Sequence, residues 1–220
     1  SINELMTNQE KKDFEKLVGM NHSLAQTVKQ CKATISYPPN GLPMLLYGPT
    51  GTGKSLIAKL TYEWARNQGV ISKDGQFVQV NCSEYANNPE LLTANLFGHV
   101  KGAFTGAEKD NEGLIALADN GVLFLDEVHE LKAECQEKLF LFMDQGIYHR
   151  VGDNEKWYKS NVRIVFATTE NPDKVLLKTL MRRIPMTITI PSLEQRGTQE
   201  RIELLHNIFS QEEKRLDCQI

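Results

Sequence analysis

The segment Gly48-Pro49-Thr50-Gly51-Thr52-Gly53-Lys54-Ser55 follows the apolar run 43–47 and precedes a stretch with helical periodicity. Its spacing, Gly, four residues and Gly-Lys-Ser, predicts a phosphate-binding loop between a strand and a helix. Glycines let the backbone amides turn toward a β-phosphate, and the positive end of the following helix points at the same oxygens. We expect Lys54 to reach the β- and γ-phosphate oxygens and Ser55 to offer its hydroxyl to Mg²⁺. A glycine-rich turn without a ligand is the alternative.

Composition narrows the class of protein. The chain has 220 residues, of which 40% are hydrophobic, enough for one generous α/β domain or for a domain plus the start of another. A net charge of −3 argues against a chain whose main task is to grip nucleic acid. No apolar run approaches the roughly 20 residues that span a membrane, and the polar segment 1–12 does not resemble a signal peptide, so we expect a cytoplasmic location. Four scattered cysteines without a Cys-x-x-Cys pair favour neither zinc nor disulfides: Cys31, Cys82, Cys135 and Cys218.

Strand-like and helix-like patterns alternate along the chain. Helical spacing predicts an amphipathic helix over about 22–35 and further helices from Lys54 to Gly69 and over 89–96, 112–119, 131–146 and 173–181. Apolar runs predict strands over 42–47, 77–80, 122–127, 162–168 and 186–190 and a surface hairpin or loop over 147–161. Such alternation implies a parallel sheet covered on both sides, an α/β fold. Ile202, Leu205 and Phe209 show helical spacing with few partners left, so we divide the chain into a domain over 1–196 and a truncated helical domain over 197–220.

Two carboxylates end a predicted central strand. Four apolar residues, 122–125, run into Asp126 and Glu127. In an ATPase, such an Asp holds Mg²⁺ directly or through water, and the Glu orients and polarises the attacking water. Acidic residues in this position also cap helices, and the pair alone leaves both interpretations open. The phosphate-binding loop favours the first. His129-Glu130 resembles half of a zinc-protease helix, but Ala133 stands where the second histidine belongs, which excludes that site.

Residues 97–107 contain three glycines and no helical period, which predicts a loop. Phe104 stands within it, and an exposed aromatic side chain at a loop tip indicates a binding partner. The alternative is that Phe104 folds back into the core.

The loop sequence Gly102-Ala103-Phe104-Thr105-Gly106-Ala107 resembles the GAFTGA signature of bacterial enhancer-binding proteins, the AAA+ activators of sigma-54 RNA polymerase. Residues 95–99 resemble the same family's lead-in, with Asn95 where Glu is usual. The resemblance runs from about Val18 to Arg196. Gly-Lys-Ser in the phosphate loop and Arg182-Arg183-Ile184-Pro185 resemble the LevR-type branch of that family.

The resemblance implies an AAA+ P-loop NTPase whose parallel sheet is sandwiched between helices and followed by a helical lid. It implies an ATP site made of Gly48, Pro49, Thr50, Gly51, Thr52, Gly53, Lys54, Ser55 and Leu56. Ser55 and Asp126 are the implied Mg²⁺ ligands. The implied catalytic group comprises Asp126 and Glu127, the switch residue Asn81, the sensor residues Thr168 and Thr169, and the arginine fingers.

Arg182 aligns with the second arginine finger. The first falls near Leu176, with Arg183 or Lys178 as substitutes, of which Lys lacks the planar fork of Arg. A solvated helix end is the alternative role of Arg182-Arg183.

The implied partner is sigma-54 RNA polymerase holoenzyme, contacted by Gly102, Ala103, Phe104, Thr105, Gly106 and Ala107. The implied assembly is a homohexameric ring that hydrolyses ATP at subunit interfaces, with DNA bound only through other domains of the full-length protein. Val151-Gly152 resembles the family's second substrate loop. Two alternatives stay open: an assembly switch that binds ATP but turns it over negligibly, and another kind of AAA+ remodelling motor.

Overall fold

The computed structural model describes residues 24–191, 203, 205–211 and 214. Seven strands lie in this part of the chain: β1 (Met44–Tyr47), β2 (Phe77–Asn81), β3 (Val122–Asp126), β4 (Ile147–Tyr148), β5 (Tyr158–Lys159), β6 (Arg163–Thr168) and β7 (Met186–Thr189). Five of them form a parallel sheet in the order β2, β3, β6, β1, β7. β4 and β5 pair as an antiparallel hairpin, in the segment where the sequence predicts one. All five predicted strands are therefore confirmed, and their carboxyl ends meet at one edge.

Helices cover the sheet. The described helices are α1 (24–36), α2 (Lys54–Asn67), α3 (Pro89–Phe97), α4 (Leu114–Leu117), α5 (Ala133–Gln145), α6 (Pro172–Val175), α7 (Lys178–Met181) and α8 (205–211). Two short 3₁₀ turns, Cys82–Tyr85 and Val128–Glu130, directly follow β2 and β3 at the carboxyl edge. Among the described residues, no helix is both long and apolar enough to cross a membrane.

Alternating side chains of the inner strands β1, β3 and β6 pack into two separate cores, one on each face of the sheet. In β3, Val122 and Phe124 join the cluster that contains the apolar faces of α1 and α2. Leu123 and Leu125 join the opposite cluster, built with α3, α5 and α7. All four side chains are fully buried, and burying a side chain of this size contributes about 1.5–3 kcal/mol. Because both faces are covered, β3 is apolar throughout, and polar residues appear only where it ends.

The predicted helix over 112–119 is wrong in length, since only Leu114–Leu117 is helical. Gly113 has φ +84°, and a Cβ there would lie 2.3 Å from the backbone nitrogen of Gly98. The helix therefore begins after this close approach of two chain segments. Asn120, with φ +61°, turns the chain into β3.

The predicted helix over 173–181 is interrupted. Leu176 and Leu177 have extended backbone between α6 and α7. The Leu177 amide donates a hydrogen bond to the Oε1 atom of Gln136 on α5, at 2.8 Å. The extended link lets both Leu176 and Leu180 enter the same core cluster.

The apolar residues of α8 have partners, contrary to expectation. Leu205 and Phe209 are buried in the cluster that contains α1 and α2. The Lys32 Nζ atom lies 4.9 Å from the centre of the Phe209 ring and 3.5 Å from the Phe209 carbonyl oxygen. Ile202 lies outside the described residues. The division at residue 196 stays a prediction.

Candidate functional site

The glycine-rich loop connects β1 to α2 in the predicted place. Gly51 and Gly53 have φ +79° and +85°, backbone angles that favour glycine. Gly48 is buried, and a Cβ on it would lie 2.8 Å from the carbonyl oxygen of Ile190. The loop therefore packs against the end of β7 at a distance that only glycine permits.

Lys54 holds the loop in its present shape. Its ammonium group donates to the Gly48 carbonyl at 2.7 Å and to the Pro49 carbonyl at 2.9 Å. The Thr52 hydroxyl also donates to Pro49, at 3.0 Å. Burial lowers the pKa of Lys54, while the negative charges of Asp126 and Glu127 act in the opposite direction. A buried cation thus lies within the field of two carboxylates.

The remaining loop residues differ in their access to solvent. Pro49, Thr50, Gly51 and Ser55 are exposed, whereas Gly53 and Leu56 are half-buried. The Ser55 hydroxyl, in the first turn of α2, is therefore accessible to a ligand.

The acidic pair lies where β3 ends. Asp126 is in register with Asn81, the last residue of neighbouring β2. The Asp126 Oδ1 atom accepts a hydrogen bond from the Glu127 amide at 2.9 Å. Glu127 itself has φ +55° and ψ +46°, a left-handed conformation that costs a non-glycine residue about 1–3 kcal/mol. Such strain persists where the surrounding structure holds a side chain in a required position.

His129 is a site residue that the sequence interpretation missed. Its Nε2 atom lies 3.2 Å from the Glu127 Oε2 atom, and its Nδ1 atom lies 3.2 Å from the Thr168 hydroxyl oxygen. The 3₁₀ turn after β3 brings the ring back toward β6. The available signal was a histidine two residues beyond an acidic pair, which we considered only as a zinc ligand.

The Asn81 side chain is hydrogen-bonded to Ser83 and not to Glu127. Its Oδ1 atom accepts hydrogen bonds from the Ser83 amide at 3.0 Å and the Ser83 hydroxyl at 2.7 Å. Asn81 therefore caps the 3₁₀ turn Cys82–Tyr85. The Tyr85 hydroxyl in turn accepts from the Asn95 amide group on α3, at 3.0 Å. Asn95, which makes this link, stands where the family that the sequence resembles usually has Glu.

The two threonines at the end of β6, Thr168 and Thr169, differ in burial. Thr168 is fully buried, and its hydroxyl oxygen accepts from the Glu170 amide at 3.0 Å. Thr169 is half-buried. Thr168 is the one that the structure brings to Glu127, through His129.

The two arginines also differ. Arg183 forms an ion pair with Asp144 of its own chain, and its guanidinium lies 5.4 Å from the centre of the Phe140 ring. Arg182 is exposed and has no ion pair within the described part of the chain. Leu176, at the position of the first implied finger, is only 5% exposed and belongs to the core. Of the two arginines, Arg182 is thus the one free to reach outward.

Phe104 is exposed and does not fold into the core. Its side chain is 38% exposed, and its ring lies edge-to-face with the His99 ring, with centroids 4.9 Å apart. Thr105 and Gly106 are exposed beside it, while Ala107 is buried. The Gly102 amide donates to the Ala107 carbonyl at 2.8 Å and closes the loop below its tip.

A second loop supports the first. The Val100 amide donates to the Val151 carbonyl at 3.1 Å, and the Val151 amide donates to the Gly98 carbonyl at 2.9 Å. Gly152 has φ +87°, and a Cβ on it would lie 2.7 Å from the Ala103 Cβ atom. The hairpin between β4 and β5 therefore packs directly against the Phe104 loop.

Comparison with known proteins identifies the family. The family described as "Sigma-54 interaction domain" matches residues 17–188. Transcriptional regulatory protein LevR of Bacillus subtilis is 50% identical over 203 residues, which are 92% of this chain and 22% of that protein. Transcriptional regulatory protein DagR of Salmonella typhimurium is 43% identical over 206 residues, 93% of this chain and 22% of that protein. The predicted resemblance to the LevR-type branch is confirmed.

Solved structures of a related regulator share the fold. NtrX from Brucella abortus in complex with ADP has a TM-score of 0.61 at 27% identity, over 86% of this chain and 40% of that one. The ATP complex of NtrX also has a TM-score of 0.61, at 25% identity, over 88% of this chain and 43% of that one. The chain thus spans about a fifth of the length of the two regulators and less than half of NtrX. The predicted α/β AAA+ fold is confirmed, and the chain belongs to the sigma-54 interaction domain family.

Proposed function

We propose that this domain binds ATP with Mg²⁺, hydrolyses it and uses the work to remodel sigma-54 RNA polymerase holoenzyme. One observation carries the proposal. The phosphate loop after β1, the carboxylates at the end of β3 and Thr168 at the end of β6 meet at one edge of the sheet, while Phe104 stands exposed on a separate loop. This arrangement supports a nucleotide site at the sheet edge and a separate partner site on the loop.

The residues present fit a nucleoside triphosphate. Lys54 already donates to two loop carbonyls, and phosphate oxygens are stronger acceptors because they are charged. Residues 48–56 form the binding loop, with their amides and the first turn of α2 directed at the phosphates. The NtrX structures with ADP and ATP support this assignment.

The residues also fit Mg²⁺. Within the described residues no group of three or more His, Cys, Asp or Glu side chains forms a metal cage. Mg²⁺ is usually held by one or two protein oxygens together with substrate phosphates, and the Ser55 hydroxyl and Asp126 carboxylate suit this role. When bound, the ion neutralises the charge that develops on the phosphate oxygens.

Glu127 is the residue that polarises the attacking water. A carboxylate can accept the water's proton, and the strained backbone of Glu127 fixes the direction of this side chain. Asn81, Thr168 and Thr169 lie at the same edge of the sheet, where their hydrogen bonds change with the state of the bound nucleotide. Arg182 reaches the site of a neighbouring subunit in a ring, while Arg183 is engaged by Asp144.

The contacts also offer a route from the nucleotide to the partner. Asn81 caps the turn that contains Tyr85, Tyr85 binds Asn95 on α3, and the loop of residues 102–107 follows α3. A change in the conformation of Asn81 can therefore be transmitted through α3 to the loop that carries Phe104. We assign Gly102, Ala103, Phe104, Thr105, Gly106 and Ala107 to the contact with sigma-54 holoenzyme.

The buried Leu176 favours one alternative, an assembly switch with negligible turnover, because a core leucine cannot act as the first arginine finger. Turnover measured against protein concentration separates the two functions. A finger supplied by a neighbouring subunit raises the rate about 10³- to 10⁵-fold, so the motor's rate per subunit should rise steeply with assembly. Assembly seen by light scattering without a rise in turnover would instead establish the switch.

A further inference from the structure

His129 lies between the ends of two strands. Its ring contacts the Glu127 carboxylate through Nε2 and the Thr168 hydroxyl through Nδ1, each at 3.2 Å. The His129 side chain is 16% exposed, that of Glu127 is 25% exposed, and Thr168 is fully buried. The three side chains form a continuous polar chain that water reaches at Glu127 and His129 but not at Thr168.

The chain of hydrogen bonds has a direction. An ionised carboxylate only accepts, so the proton of the contact with Glu127 belongs to Nε2. In the neutral ring Nδ1 is then an acceptor, and Thr168 donates to it. Thr168 has a single hydroxyl proton, and the competing acceptor within reach is the Glu170 carbonyl, at 3.3 Å. Another acceptor that takes this hydroxyl hydrogen bond leaves Nδ1 without a donor and weakens the link from Nε2 to Glu127.

We infer that His129 is a positioning residue that connects Thr168 to Glu127, so that a change in the hydrogen bonding of Thr168 on nucleotide binding changes the position of the Glu127 carboxylate. The inference rests on the proposed function. When nucleotide binding draws the Thr168 hydroxyl proton to another acceptor, Nδ1 loses its donor and the hydrogen bond from Nε2 to Glu127 weakens, because hydrogen bonds in a chain strengthen one another. Glu127 is then free to turn toward water.

Other nearby groups are less suited to this role. The side-chain oxygen of Asn81 is occupied by two hydrogen bonds from Ser83. Glu130 is a second carboxylate near the same ring nitrogen, but its distance of 3.7 Å is beyond a normal hydrogen bond. In the described part of the chain, His129 is the side chain with polar contacts to both Glu127 and Thr168.

A double-mutant cycle tests the connection. His129→Ala, Thr168→Val and the double variant are compared in kcat and in ATP affinity, after thermal unfolding has shown that each is folded. If the residues act through one another, the two single effects on kcat will fail to multiply by at least about threefold, with ATP affinity nearly unchanged. Glu130→Gln should leave the coupling intact, and Thr168→Ser, which keeps the hydroxyl, should restore it. Effects that simply multiply would overturn the inference.

Nitrogen NMR of the histidine rings gives a readout that needs no turnover. In the nucleotide-free protein the His129 ring should carry its proton on Nε2, Thr168→Val should shift the Nδ1 resonance, and Glu127→Gln should shift the Nε2 resonance. His129→Gln assigns the signals. A proton on Nδ1, or no response to Thr168→Val, would refute the link whether or not the protein hydrolyses ATP. Failure of the wild type to bind ATP would count separately against the proposed function.

Discussion

At the scale of single residues, we expect nucleotide binding to depend most on Lys54. Lys54→Ala removes the ammonium group that faces the loop, and a bound triphosphate would then lose its main mobile cation. We expect loss of measurable ATP binding in a fluorescent-nucleotide titration. Lys59→Ala, an exposed lysine on the same helix, is the matched control and should bind normally. Normal affinity of Lys54→Ala would refute the site.

Glu127→Gln should separate binding from chemistry. The amide keeps the shape and hydrogen-bonding reach of the side chain but cannot take a proton from water. We expect ATP affinity to stay within a few-fold and kcat to fall about 10²- to 10⁴-fold, the usual contribution of a general base. Glu134→Gln, an exposed glutamate at the start of α5, should change neither. Equal losses of affinity and turnover would mean that Glu127 is structural.

At the scale of elements, the Phe104 loop is built to present an apolar side chain. Phe104→Ala removes that contact, and losses of about 2 kcal/mol or more are typical of buried aromatic anchors, so binding to sigma-54 should fall more than about tenfold. Folding and basal ATP hydrolysis should barely change, because the side chain is already 38% exposed. Leu117→Ala, an exposed leucine on α4, is the control. Normal open-complex formation by Phe104→Ala in the full-length protein would exclude the proposed partner contact.

The neighbouring hairpin should set the position of that loop. Gly152→Ala places a methyl group 2.7 Å from the Ala103 Cβ atom and also strains the backbone. Gly69→Ala imposes a similar backbone strain in open space, so it controls for strain alone. We expect faster amide hydrogen exchange over residues 99–107 in Gly152→Ala only. Equal exchange in both variants would show that the contact between the loops is dispensable.

At the scale of the whole molecule, Arg182 and Glu127 should act across a subunit interface. Arg182→Ala should lose turnover while still assembling, whereas Arg183→Ala should lose only an exposed ion pair worth about 0–1 kcal/mol. Mixing Arg182→Ala with Glu127→Gln should restore part of the turnover, since some interfaces then combine an intact Arg182 with an intact Glu127. Mixed assemblies, confirmed by light scattering, that remain inactive would place Arg182 outside the neighbour's site.

Short-range patterns were enough to predict much of this molecule. The loop from Gly48 to Ser55, the five strands and the exposed Phe104 loop follow from spacing, apolar runs and glycine placement within a few residues of each position. These features depend on local backbone preference and on which side chains must avoid water. The same short motifs are the ones that resemble the sigma-54 activators, the family to which the chain belongs.

Contacts between distant segments could not be predicted in this way. The helix over 112–119 is shortened by the approach of Gly98, and the helix over 173–181 is broken where Leu177 binds Gln136, 41 residues away. His129 meets Thr168 across 39 residues. In each case, alternative local structures compete for the same hydrogen-bond partner or the same small space. Packing of the sheet and its two covering layers settles that competition, and no local pattern along the chain records it.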